Sequence, residues 1–184
     1  MERLTLTQAA KVLRVSQHRL IHLCEEGVVV PDVQDARGRG SSREFSRRNL
    51  FEFAVALEMR RLEVPVSFVR AVLQVLRAFE AEVRAAHPDF VLPDSLLTSR
   101  RPRLSLLILD GVRLYFTLRQ LKGPTTVFGG VEIPRPGVRG RARQYRAVGR
   151  LRPVEAHGDL ANARTRSEVD LSKIAHSLKG VLDS

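Results

Sequence analysis

Apolar residues recur at helical spacing through the first eighty-six residues. Ala10 and Leu13 follow Thr7, which stands where an N-cap belongs, and predict a short helix. After Arg14 and Val15, Ser16 is a second N-cap candidate. Leu20, Leu23 and Cys24 then mark the buried stripe of another helix, which ends before Gly27, a residue suited to the position just past a helix. Two short helices joined by a tight turn predict a helix-turn-helix. Its second helix turns Gln17, His18, Arg19 and His22 outward, and these side chains are able to reach base edges and phosphates.

Val28 to Val30 before Pro31 predict a short strand, the Gly-rich run from Arg37 to Ser42 a turn, and Arg43-Glu44-Phe45 a second strand. Together they make a wing, with Phe45 inward and Arg39 and Arg43 pointing away. Ser46 then caps a helix carrying Asn49, Leu50, Phe53, Ala54, Leu57 and Leu62. Val64-Pro65 breaks it, and Pro65 suits the first turn of a longer helix. That helix has Val66, Val69, Leu73, Leu76 and Val83 on one seam and Phe68, Val72, Val75 and Phe79 on the next. So broad an apolar face predicts that one seam packs within the chain and the other against a second copy.

Residues 87–103, with Pro88, Pro93 and Pro102, read as a linker. Leu104 to Leu109 and Val112 to Leu118 flank Asp110-Gly111, a strong hairpin signal. A further strand is expected from Thr126 to Ile133. Val169 completes an edge, and Asp170 caps a final helix bearing Leu171, Ile174, Ala175, Leu178 and Leu182. The expected fold class is α+β: a winged helix-turn-helix with a long dimerisation helix over 1–86, the linker over 87–103, and a small sheet-plus-helix module over 104–184.

Charge changes this picture. The 184 residues contain 31 Lys+Arg against 20 Asp+Glu, a net +11, and 27 of the cations are Arg, which forks well onto phosphate. A high-GC genome also raises Arg at the expense of Lys, so position says more than number. Residues 135–154 hold seven Arg and no acid, more than half of the net excess. With few apolar anchors, this insertion reads as a solvated basic loop, a phosphate-binding arm or a docking segment for an acidic protein.

Other chemistry is thinly represented. Cys24, the one cysteine, closes no disulfide within the chain and fits a reducing compartment as a small buried hydrophobe. No run is long and apolar enough for a membrane span, and no signal-peptide core opens the chain, so a cytoplasmic, nucleoid-associated protein without a membrane partner is expected. His18 and His22 form an i,i+4 pair with no third ligand nearby, so no metal is expected. No nucleophile beside a base, paired carboxylates or phosphate-binding glycine loop stands out, so neither an enzyme nor a cofactor is expected. Tyr115, Phe116 and Phe128 read as core before they read as an effector pocket.

The series Leu4-Thr-Leu-Thr-Gln-Ala-Ala-Lys11, Val15-Ser16, Glu26-Gly27-Val28-Val29 with Pro31, Arg43-Glu44-Phe45-Ser46 and Leu62-Glu63-Val64-Pro65 resembles the MerR family of bacterial transcription regulators. The resemblance covers about residues 3–86. It implies a homodimer joined by the helix after Pro65 and bound to palindromic double-stranded DNA. Gln17, His18 and Arg19, with His22, would read bases; Arg39 and Arg43 would serve the wing; Lys11, Arg14, Arg47 and Arg48 would clamp phosphates. The chain departs from the family at Ile21, His22 and Leu23, where Arg followed by aromatics is usual. The first helices are also similar to the excisionase-like group, which keeps a phage or architectural role open. Gly111 to Tyr115, Gly129-Gly130 and Val169 to Ile174 look like a C-terminal module of unknown function found in some MerR-type proteins. Such a module would sense a small effector or dock a protein. The alternative function is therefore an antitoxin-like or phage-related adaptor whose C-terminal module binds a protein partner.

Overall fold

The computed structural model describes residues 3–33, 43–98, 102–119, 125–132, 152–153 and 158–182. The fold is α+β, and it divides into two compact units: residues 1–73 with 177–184, and residues 74–176.

In the first unit a short strand β1 (Leu4–Thr5) leads into α1 (Leu6–Leu13). The cap is Thr5, two residues before the expected Thr7. Gln8 N donates to Thr5 Oγ1 at 3.3 Å and Thr5 N donates to Gln8 Oε1 at 2.7 Å. This reciprocal Thr-x-x-Gln box satisfies two backbone donors at once, which Thr7 has no partner to do. Helix α2 (Gln17–Glu25) starts after Ser16 and buries Leu20 and Leu23. Gly27 follows it at φ +63, and the Val28 amide donates to Leu23 O at 2.9 Å. This is the left-handed exit that the sequence anticipates.

The wing is not formed as expected. Val28 and Val29 are buried, but both amides bond back to Leu23 O, so they finish the helix instead of making a strand. The strand β2 (Glu44–Phe45) is present and pairs with β1, Leu4 opposite Phe45. Arg39 and the intended turn lie outside the described residues. Ser46 caps α3 (Arg47–Arg61) as expected, again through a capping box, with Asn49 as the partner. Leu50, Phe51, Phe53, Val55, Ala56 and Met59 are fully buried, so the middle turns of α3 are covered nearly all round and form the centre of this unit. Phe45 meets Phe53 edge to face at 5.2 Å.

Helix α4 (Val66–Ala86) follows Pro65. The expectation that one seam stays open for a second copy is not met. Val69, Leu73, Leu76 and Val83 are all buried within one chain, as are Phe68, Val72, Val75 and Phe79 of the neighbouring seam; Val66 alone is half-buried. The physical reason is that the turns up to Leu73 belong to the first unit, while the second takes the later turns into its own core. Phe79 stacks on Phe116 at 5.5 Å and meets Phe128 at 5.9 Å and Phe90 at 6.2 Å edge to face.

That unit is built on an antiparallel sheet of β3 (Arg103–Leu109), β4 (Arg113–Arg119), β5 (Thr126–Glu132), β6 (Arg152–Pro153) and β7 (Arg166–Asp170), in the order β6-β5-β4-β3-β7. The β3–β4 hairpin turns at Asp110-Gly111 as expected. Both residues have positive φ, 52 and 71°, and the Val112 amide closes the turn onto Leu109 O. Leu104, Leu106, Leu114, Phe116, Leu118 and Phe128 share one buried face. On the other, Leu107, Leu109 and Tyr115 pack against Leu160 and Ala163, at and beyond α5 (Gly158–Asn162). The three aromatics Tyr115, Phe116 and Phe128 are thus core. Val169 lies on β7 as anticipated, and Asp170 Oδ1 accepts the Lys173 amide at the start of α6 (Leu171–Ser177), before α7 (Lys179–Leu182).

The stretch 87–98 is no open linker. Phe90, Leu92 and Leu96 are buried, and the Leu92 amide donates to the buried Glu80 carboxylate at 2.9 Å. The unit boundary accordingly falls between Leu73 and Gln74, inside α4.

Candidate nucleic-acid interface

Residues 3–24 contain Arg3, Lys11, Arg14 and Arg19 and no Asp or Glu, so α1 and all of α2 except its last residue, Glu25, sit in a stretch of one sign. Their packing decides what faces out. Ala9 and Ala10 on α1 and Leu20 and Leu23 on α2 point inward, and this spacing leaves Gln17, His18, Arg19 and His22 exposed over the first two turns of α2. Lys11, in the last turn of α1, and Arg14, which caps that helix in the left-handed region at φ 53, are exposed as well. All six residues assigned to the two helices are therefore solvent-facing and carried by one α1–turn–α2 unit.

Gln17 has a second task. Its amide donates to Thr7 Oγ1 at 3.2 Å, fastening the start of α2 to α1. Helical spacing points to Thr7 as a cap, and this contact spans ten residues, beyond the reach of helical periodicity.

The remaining residues cluster at the start of α3. Arg43 is half-buried just before β2; Arg47 and Arg48 are half-buried in the first turn of α3. Arg48 Nε lies 3.5 Å from the carboxylate of Glu52, which is buried. A guanidinium that neutralises a buried acid presents less net charge to solvent than one without such a partner. Glu52 in turn accepts from Asn49 Nδ2 at 3.3 Å, and Asn49 Nδ2 also donates to Val30 O at 3.0 Å. Asp32 completes the knot: its amide donates to Asn49 Oδ1 at 3.0 Å, and its carboxylate accepts from Ser46. Asp32, Asn49 and Glu52 were absent from the expected set; they anchor both flanks of residues 34–42 to α3.

Two further features bear on function. Among the described residues, no group of three His, Cys, Asp or Glu is placed to hold a metal ion. Likewise, no helix among them is long and apolar enough to cross a membrane. Cys24 is half-buried on α2. No family model matches the chain and no curated protein matches it, so the functional reading rests on the residues and their placement.

Proposed function

We propose that the first unit binds double-stranded DNA, with the first two turns of α2 in the major groove, and that the protein is a sequence-specific transcription regulator occupying a two-fold site as two copies. The observation that carries this reading is the exposed, acid-free set Gln17, His18, Arg19 and His22 on a helix whose opposite side is held by Leu20 and Leu23. Arg and Gln at the start of such a helix have donors for base edges, while Lys11 and Arg14 are suited to flanking phosphates. Because both seams of α4 are buried within one chain, this reading puts the contact between the two copies away from that helix.

Selection of oligonucleotides by the purified protein at physiological salt tests the reading. The full chain is compared with a variant in which Arg135, Arg139, Arg141, Arg143, Arg146 and Arg150 are all replaced by Gln, which removes the charge and keeps the length of chain that joins β5 to β6. One enriched inverted repeat bound by both forms supports it. Uniform binding that disappears with those charges overturns it, and moves phosphate binding from α2 to that stretch.

A further inference from the structure

Among the described residues, strand β7 is the last strand of its sheet on the β3 side. Arg164, Thr165, Arg166, Ser167 and Glu168 are exposed at five successive positions, while Leu106, Leu107 and Leu109 on the adjoining β3 are buried. The chain's backbone fixes which groups of β7 face out. Thr165 O accepts the Asp110 amide at 3.0 Å, so Thr165 is turned toward the β3 side. In an antiparallel ladder direction alternates, so Ser167 and Val169 also face β3, and the N–H and C=O of Arg166 and Glu168 face away. Such outward backbone groups are a template for another strand.

The side chains select which strand. Arg166 and Glu168 lie on one face and pair with each other at 3.3 Å. We propose that β7 pairs antiparallel with β7 of a second copy, about a two-fold axis at Ser167. Arg166 of each copy then lies opposite Glu168 of the other. Both outward residues exchange N–H···O bonds, and the four charges alternate in sign. Registers centred on Arg166 or on Glu168 would set like charges opposite one another, which is destabilising, so charge singles out the axis at Ser167. The pairing supplies the second copy that a two-fold DNA site requires. It deepens that part of the reading above, and it is measured without DNA, so its failure leaves the α2 interface untouched.

The test uses the full chain in sedimentation velocity up to near-millimolar concentration. The parent is expected to dimerise, and Arg166→Glu and Glu168→Arg are each expected to weaken the dimer by about tenfold or more, since each sets like charges across the pair. Mixing the two variants should restore a dimer, because one then offers two acids and the other two bases. Ser167→Cys in a Cys24→Ala background leaves the charges intact. It should give a disulfide-linked dimer on mild oxidation, because the non-hydrogen-bonded pair at the axis brings the two Cα atoms to about 4.5 Å. A parent that stays monomeric, charge variants that dimerise like the parent, no recovery on mixing, or no crosslink at residue 167 would each overturn the proposal.

Discussion

Ser46 Oγ donates to Asp32 Oδ2 at 2.6 Å, and the same oxygen of Ser46 accepts the Asn49 amide at 3.2 Å. One hydroxyl thus caps α3 and ties it to the segment that leaves α2, and the hydroxyl belongs to a buried residue. Ser46→Ala removes the cap and leaves the Asn49 amide without it. The expected loss is about 1 to 2 kcal/mol of unfolding free energy, read from the urea midpoint. A change below a few tenths would show that the cap carries no weight.

Phe79 stands at the centre of three aromatic contacts with ring separations of 5.5 to 6.2 Å. Phe79→Ala should cost about 3 to 5 kcal/mol, and Phe79→Leu clearly less, because leucine fills part of the space. Thermal unfolding of the two variants beside the parent checks the ranking. Equal losses would mean that packing volume at this position is not what matters.

Glu80 is buried and accepts the Leu92 amide. Glu80→Gln retains an acceptor oxygen, whereas Glu80→Leu strands a buried N–H at a cost of about 1 to 3 kcal/mol. The leucine variant should therefore be the less stable of the two by chemical denaturation, despite its greater hydrophobicity.

Asp110 is held below its ordinary carboxylate range chiefly by its hydrogen bond with Arg113 and then by the Thr165 amide; burial opposes these two, and the Arg164 amide and the Arg113 charge add smaller lowering effects. A depressed folded value means that this stabilisation is complete above the ordinary value of 3.8 and is lost as pH falls through the lower one. Asp110→Ala should lower the urea midpoint at neutral pH. Its curve should converge with the parent's at the acid end, where the parent's carboxyl is protonated. A gap that persists unchanged into acid would place the effect in the turn geometry instead.

Arg19→Ala and Lys11→Ala should separate reading from clamping. Losing Arg19 should flatten preference at particular base pairs, whereas losing Lys11 should weaken all sequences alike and reduce the salt slope by about one. Quantitative binding to the selected site and to scrambled DNA at several salt concentrations checks both.

Much of the fold was legible because short-range chemistry fixes it. Ser46, Gly27, Asp110-Gly111 and Asp170 each act within four residues, and each is used as the sequence implies. Apolar spacing points to Thr7 as the cap, whereas the reciprocal bonds of Thr5 and Gln8 place the cap at Thr5. Val28 to Val30 read as a strand because three β-branched residues favour one, yet the exit from α2 claimed two of their amides. Prolines at 88, 93 and 102 masked the burial of Phe90, Leu92 and Leu96, which have no regular period to reveal it. The fate of α4 is a tertiary matter, for periodicity counts apolar faces without saying what covers them. At the site, exposure of Gln17, His18, Arg19 and His22 followed from the placement of Leu20 and Leu23. The Gln17–Thr7, Arg48–Glu52 and Asp32–Ser46 contacts join residues through side-chain geometry that spacing does not encode.

The division inside α4 limits how this chain can be cut and recombined. A fragment ending at Ala86 would carry Val75, Leu76, Phe79 and Val83 into water without Phe116 and Phe128, a sticky stripe that invites aggregation. A chimera that borrows α1 and α2 has to carry the turns of α4 up to Leu73 as well, because they belong to the first unit. Grafting the second half requires the whole of α4 to travel with the sheet. A helix whose first turns belong to one core and whose later turns belong to another makes this protein a poor donor of interchangeable parts.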